Sequence, residues 1–507
     1  MGHEGDTVER LHASREIAFE EFADRVDEES AAIKRHLAAG TFDNDEVALG
    51  MEYEFYAADR SSGALRRVPR ALLRSLGFEK ELGLHNAELT TGIYPANGPG
   101  LSALASDVEA KLIVLQRRGE AMGIRLVSDG TWTIGPEHNS TWGYLTEATR
   151  EGDIALARNV SDSVRYHGFT SGRRDLQCRV DLPGATIDAE NAGPVSLTTS
   201  IQAHYQVPDA DALPAYFGAA LRIAGPLVAL GANSPFLPPA LYDDPEPDRR
   251  TLLDRGVAEK RIPVYEGMMN PTTGPTKVRF PRDLETTAEA VDRIARDSTV
   301  VPADLSTDAG FDDAFAHFRH KHGSYWRWIR PVFGGSTRAS ANVRIEFRPL
   351  AGQPTVPDSM AFVAAIAGLV TGLGGGDHPA ARLPWETARA NFYAAARDGF
   401  DAHLTWVTAD GVETTDRDLV FRDLLATATE GLETLGLSRD DARSRLAPLR
   451  DRVERSITPA RWKRRVVADE LDAGATTSEA IHAMQRQYLD RQAATLTHGT
   501  LAAWPRP

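Results

Sequence analysis

Three stretches of this chain of 507 residues alternate apolar and polar side chains at period two, and their polar positions carry carboxylates, arginines, amides and a histidine. In residues 48–55, Glu52 and Glu54 fall on one face of a strand and Met51, Tyr53 and Phe55 on the other. In residues 342–350, Arg344, Glu346 and Arg348 share a face opposite Val343, Ile345 and Phe347. In residues 199–207 the shared face carries Ser200, Gln202, His204 and Gln206. A fourth segment, 85–91, adds Glu88 with Thr90 on the same face. Such strands need a core behind their apolar face, so they demand a sheet with one polar side.

Around these segments the text is mixed α+β. Residues 7–39 place Leu11, Ile17, Phe19, Phe22 and Val26 among charged residues, which predicts a helical arm over residues 1–45. Residues 46–375 read as one sheet domain with short alternating segments, turn residues and interspersed helices such as 101–122. Beyond Gly374-Gly375-Gly376, residues 376–507 read as a helical C-terminal region packed on that domain, with helices expected at 388–407, 416–435, 438–455 and 477–496. The Pro-rich run 235–247 reads as a surface excursion. Two apolar runs, 216–236 and 360–373, read as buried helices, because the first carries Arg222 and Pro226 and the second is shorter than a membrane span needs.

Composition narrows the partners. The chain is 42% hydrophobic and 25% charged, enough for a substantial core. A net charge of -15 argues against nucleic acid or an anionic membrane as a general partner and leaves small molecules, with a homo-oligomer open. Cys178 is the only cysteine, so no intrachain disulfide forms and a thiolate-rich zinc site is excluded; a cytoplasmic setting follows most simply. No phosphate-binding Gly-rich loop ending in Lys, nucleophile elbow or His-Glu-x-x-His motif is present. The basic run 317–322 reads as an anion-binding loop, and Arg330, in an aromatic and basic segment, as a phosphate contact.

Each polar row has two readings when taken alone. Glu52 and Glu54 repel one another unless a cation lies between them, and two carboxylates suit magnesium, but a solvated strand face would look the same. Arg344-x-Glu346-x-Arg348 fits a salt-bridged sheet surface as well as a carboxylate flanked by two phosphate forks. His204 fits a hydrogen-bonded histidine as well as a metal or phosphate contact.

In order along the chain, residues 50–55, Glu88-Leu89-x-Thr91, Ser128-Asp129-Gly130-Thr131, Gln202-Ala203-His204, residues 232–236 and Arg344-Ile345-Glu346-Phe347-Arg348 resemble the glutamate-cysteine ligase family. Residues 325–331 and 352–358 resemble its carboxylate-amine ligase branch, and the likeness covers roughly residues 46–373. The resemblance implies a curved antiparallel sheet of glutamine-synthetase-like type, with helices on its outer face and ATP, Mg2+ and amino acid on its inner face. It implies Glu52, Glu54, Glu88, Glu346 and His204 as metal ligands, with His204, Gln202, Arg330 and Arg344 toward the nucleotide and Arg348 and Arg344 as catalytic cations.

The implied activity is ATP-dependent amide formation through an acyl phosphate, with L-glutamate and L-cysteine giving γ-glutamylcysteine for glutathione biosynthesis. The alternatives are a catalytically silent relative that binds nucleotide or amino acid, and a small-molecule kinase on the same scaffold. One departure stands out: Trp132-Thr133-Ile134 follows Thr131 where the family has small residues and a histidine, which predicts an altered pocket wall there.

Overall fold

The structure, a computed structural model, describes residues 2–74, 78–152, 154–168, 178–270, 276–306 and 310–505. Its centre is an antiparallel sheet of eight strands: β1 Ala48–Asp59, β2 Phe78–Lys80, β3 Asn86–Thr90, β4 Tyr94–Pro95, β5 Ile124–Val127, β6 Ile201–Gln206, β7 Ile329–Gly334 and β8 Asn342–Phe347. The order is β7-β8-β6-β1-β3-β2, with β4 and β5 pairing opposite ends of β1. The sheet curls into a half-barrel. At 12 residues β1 is long enough to hold four partners, which places its residues at the middle of the curve.

The alternation read from the sequence sets the two faces. Met51, Tyr53 and Phe55 of β1 and Ala203 and Tyr205 of β6 are buried behind the sheet, each large apolar side chain there contributing about 1.5–3 kcal/mol. The helix Val356–Gly374 lies against them: Ser359 Oγ donates to Tyr53 Oη at 3.0 Å, and Tyr205 and Thr371 share a hydroxyl contact at 2.9 Å. That helix starts where Thr355 Oγ1 accepts from the Asp358 N–H at 3.2 Å, with Pro357 in its first turn. The apolar helix Leu213–Gly231 packs beside it. Both helices are long and apolar enough to cross a membrane, but 83% of the apolar window of Val356–Gly374 and 78% of that of the helix ending at Gly231 are buried inside this fold.

The C-terminal helices build on this pair. Arg417–Thr434 crosses Val356–Gly374 so closely that a Cβ on Gly431 would lie 1.8 Å from the Gly368 carbonyl oxygen, so only glycine fits at the crossing. Asp416, read as the start of this helix, is its cap and accepts from the N–H groups of Asp418 and Leu419.

Several sequence-read helices divide differently. The arm is two helices, Gly2–Glu16 and Phe19–Ala38, separated by extended backbone at Ala18. The helix expected at 388–407 is Trp385–Asp398; it stops at Gly399, whose φ of +60° turns the chain toward the short strand Trp406–Val407. The 438–455 stretch splits into Arg439–Arg445 and Ala447–Glu454, because Pro448 has no N–H for a continuous helix. Pro459–Asp472 is a helix that the sequence reading passed over. The run 235–247 is not wholly a surface excursion, since Phe236, Leu237, Leu241 and Tyr242 are buried.

Candidate active site

Strand register converts the polar rows into two clusters. Glu54 of β1 stands opposite Glu88 of β3, and with Glu81, which follows β2, offers three carboxylate oxygens within 4.8 Å of one another. Glu346 of β8 stands opposite His204 of β6, and these two with Glu52 form a second group within the same limit. The four glutamates read from the sequence therefore lie on one face but divide between two clusters. Glu81 was not legible, because it follows a strand of only three residues in which no alternation can be read.

The clusters differ in how their charge is balanced. In the first, burial and then the neighbouring carboxylates Glu52, Glu81, Glu54 and Glu79 push Glu88 well above the ordinary carboxylate range. Burial, with Glu81 next, raises Glu54 to about 7. Burial also raises Glu81, against the pull of Arg165 and Arg348. Glu54 is nonetheless held in place: the Ser200 N–H donates to Oε2 at 2.7 Å, and Ser200 Oγ and Gln202 Nε2 donate to Oε1 at 3.0 and 2.7 Å. A converging carboxylate set short of counter-charge is the environment a hard divalent cation relieves.

In the second cluster arginines supply the charge. Arg330 donates to both oxygens of Glu346, at 2.6 and 3.2 Å, and Arg348 bonds Glu346 and Gln202. Burial opposes ionisation of Glu346, but Arg330 and Arg348 outweigh it and hold its pKa well below the ordinary value. Arg344 Nε donates to His204 Nδ1 at 3.2 Å, which leaves the proton of a neutral ring on Nε2. Nε2 lies 3.3 Å from Glu52 Oε1 yet is buried with no hydrogen-bond partner among the described residues. The donor set fits a cation here too, on two conditions. Ligation through Nε2 requires Arg344 to release Nδ1, and ligation by Glu346 requires its arginines to turn elsewhere.

The first cluster opens into a cavity of about 300 Å3 whose wall includes Glu52, Glu54, Glu81 and Glu88, with Gln202, Arg330 and Arg348 beside them. The lining also includes Tyr166, Arg165, Arg261, Tyr265, Trp326 and Trp328. Arg261 donates to the carbonyls of Pro349 and Arg348 at 2.9 and 2.6 Å and stacks over Trp328, 5.2 Å from the ring centre. Trp328 in turn donates to Glu266 at 2.7 Å. Arg261 and Tyr265 sit on the helix Arg261–Met269, whose sequence has no feature separating it from an ordinary core helix. Arg344, His204 and Glu346 lie beside this cavity rather than on its wall. Two larger grooves, one between the helices Arg417–Thr434 and Ala447–Glu454 and one along the N-terminal arm, bring no such carboxylate cluster together among the described residues.

Two expectations are corrected. Residues 317–322 form no anion-binding loop: they lie in the helix Ala316–His322, where His317 pairs with Glu29 at 2.7 Å and His322 with the Pro331 carbonyl at 2.9 Å. The departure at Trp132-Thr133 does not fall on the pocket wall. Trp132 is fully buried and donates to the Gly63 carbonyl at 2.8 Å, and Thr133 bonds Gln485, both away from the cavity wall.

The model of glutamate-cysteine ligase family 2 (GCS2) matches residues 48–493. No curated protein matches the sequence. Among solved structures, the chain is similar to a glutamate–cysteine ligase from Francisella tularensis in complex with AMP, with 14% identity over 92% of this chain and 91% of that one and a TM-score of 0.52. It is also similar to a bifunctional glutathione synthetase from Pasteurella multocida, with 13% identity over 92% of this chain and 55% of that one and a TM-score of 0.47. The first likeness shows a shared fold, and the antiparallel sheet is curved as the resemblance to the ligase family implied.

Proposed function

Because the chain belongs to glutamate-cysteine ligase family 2 and is an ATP-dependent amide-forming ligase, we propose that it joins L-glutamate to L-cysteine through an acyl phosphate, with Mg2+ at the carboxylate clusters. One observation carries this reading: among the described residues, Glu54, Glu81 and Glu88 converge without matching counter-charge in a cavity that also holds Arg348, Arg330 and Arg261. Acidic and basic groups so arranged suit a nucleotide triphosphate, its cation and an anionic acid substrate together.

Amide formation from a carboxylate needs a better leaving group than oxide, and phosphorylation by ATP supplies it. Bound Mg2+ would neutralise charge on the transferring phosphoryl group. Glu54, Glu81 and Glu88 would hold the cation, with Glu52, Glu346 and His204 as a second set. Arg330 and Arg348, now turned onto Glu346, would present guanidinium forks to phosphoryl oxygens. Gln202, bonded to both Glu54 and Arg348, ties the carboxylate end of the site to the cationic end. Arg344 takes a smaller part in this reading than its place in the row implied, because it sets the His204 ring and does not line the cavity. No protein nucleophile is needed. A cytoplasmic setting with ready ATP belongs to the same proposal.

The test is an ADP-release assay with ATP, Mg2+, glutamate and a panel of amines, with product mass read in parallel. Loss of water between glutamate and cysteine supports the full reading. Turnover with another pair keeps the ligase and replaces the substrates, and ADP formation with a phosphorylated acid and no amide replaces ligation with kinase chemistry.

A further inference from the structure

Two C-terminal helices reach through the core to the segment that sets Glu54. Lys463, on the helix Pro459–Asp472, bonds the Asp129 carboxylate, and both side chains are essentially fully buried. Gln485, on the helix Thr477–Thr495, donates to the other Asp129 oxygen at 2.8 Å and accepts from Thr133 Oγ1 at 2.9 Å. Gln492 and Tyr488 of the same helix hold the Ser128 carbonyl at 2.6 and 2.9 Å. Residues 128–133 are thus gripped on one side by groups far away in sequence.

On the other side they grip Thr199. Its hydroxyl donates to the Asp129 carbonyl, its N–H donates to the Gly130 carbonyl at 3.3 Å, and Thr131 and Thr198 form an isolated bridge. The next residue, Ser200, gives both its N–H and its hydroxyl to the Glu54 carboxylate. There is no slack for this segment to move alone. A Cβ on Gly352 would lie 2.4 Å from the Asp129 carbonyl oxygen, and one on Gly130 would lie 2.9 Å from the Asn233 backbone.

We propose that the two C-terminal helices position the Glu54 carboxylate for cation binding, acting from Lys463 and Gln485 through Asp129, Thr199 and Ser200. The inference rests on the reading of Glu54, Glu81 and Glu88 as a cation site. It makes Lys463, Gln485, Asp129 and Thr199 positioning residues and gives the C-terminal region a role in the chemistry as well as in the core. Groups that orient metal ligands typically carry a 10–100-fold share of affinity, so losing this contact should be measurable as weaker binding.

The experiment is Mn2+ binding to the full chain, followed by electron paramagnetic resonance of the free ion, without ATP or turnover. Wild type, Glu54→Gln, Lys463→Met and Thr199→Val are compared with Arg222→Met, which breaks a different buried ion pair, to Asp283. The expected result is a roughly tenfold weaker Mn2+ dissociation constant in Lys463→Met and Thr199→Val. Arg222→Met should bind as wild type despite its lost stability, and kcat of Thr199→Val should recover at saturating Mn2+ while the Mn2+ requirement rises. If Lys463→Met does not fold, Thr199→Val, a near-isosteric change of one hydroxyl, decides. Wild-type affinity in the folded variants overturns this inference and leaves the cation site standing. Wild-type affinity in Glu54→Gln, or no Mn2+ binding by wild type, overturns the cation site and this inference with it.

Discussion

Glu54 and Glu88 are direct cross-strand partners, two buried or half-buried carboxylates facing each other across β1 and β3 with Glu81 closing the third side. Like charges opposite one another weaken a sheet. A chain that places three of them together holds an arrangement that is costly without a cation and favourable with one.

Removing one of these charges should therefore have opposite effects on stability and function. Glu88→Gln is expected to raise the melting temperature of the metal-free protein by the equivalent of about 1 kcal/mol. It should also abolish the stabilisation that wild type gains from added Mg2+. Thermal unfolding with and without Mg2+ checks both; a variant less stable than wild type in the absence of metal would contradict the account.

Arg344, on β8, and Arg348, one residue past its end, do different work. Arg348 bridges Glu346 and Gln202 on the cavity wall, whereas Arg344 contacts His204 and Asn342 beside it. Lysine keeps the charge but loses the fork. Arg348→Lys is expected to lower kcat by roughly 100-fold, the scale of losing one preorganised transition-state donor. Arg344→Lys should cost less than about tenfold, as an orienting group does. Steady-state kinetics of the two variants under the same assay decides the order.

Arg452 and Asp358 form a 2.9 Å ion pair with no exposure on either side chain, joining the helix Ala447–Glu454 to the first turn of Val356–Gly374. Arg452→Met strands a buried carboxylate and should cost about 3–5 kcal/mol in urea unfolding. The double variant Arg452→Met with Asp358→Asn should recover part of that loss, since no unpaired charge remains.

His85 is fully buried between Tyr144 and the Ser196 carbonyl, and burial lowers its pKa to about 4. The unfolded chain takes up this proton near pH 6.5, so between those values it binds more protons than the native state and stability falls with falling pH. The difference amounts to about 3 kcal/mol once pH is below 4. Urea unfolding of wild type and His85→Gln between pH 7 and 4 should show a shallower decline in the variant.

Much of the sheet was legible because alternation reports a strand's faces directly. Glu52, Glu54, Glu88, His204 and Glu346 all lie where period two puts them, on the polar side. What alternation cannot report is which strands become neighbours. Only register places Glu54 against Glu88 and His204 against Glu346, and so divides one expected cradle into two clusters. Glu81 and Arg261 were missed because each sits where local pattern is silent, after a strand of three residues and on a helix indistinguishable from core. The contacts of Lys463 and Gln485 with Asp129 span more than 330 residues of chain and leave no local trace.

The central claim is that the acid substrate is activated by phosphorylation before the amine attacks. Glutamate labelled with 18O in its γ-carboxyl group, turned over with ATP and cysteine, tests it most directly. The account predicts one 18O atom in the inorganic phosphate for each amide formed, with ADP as the nucleotide product. Amide formation that leaves the phosphate unlabelled, or that releases AMP in place of ADP, would contradict it.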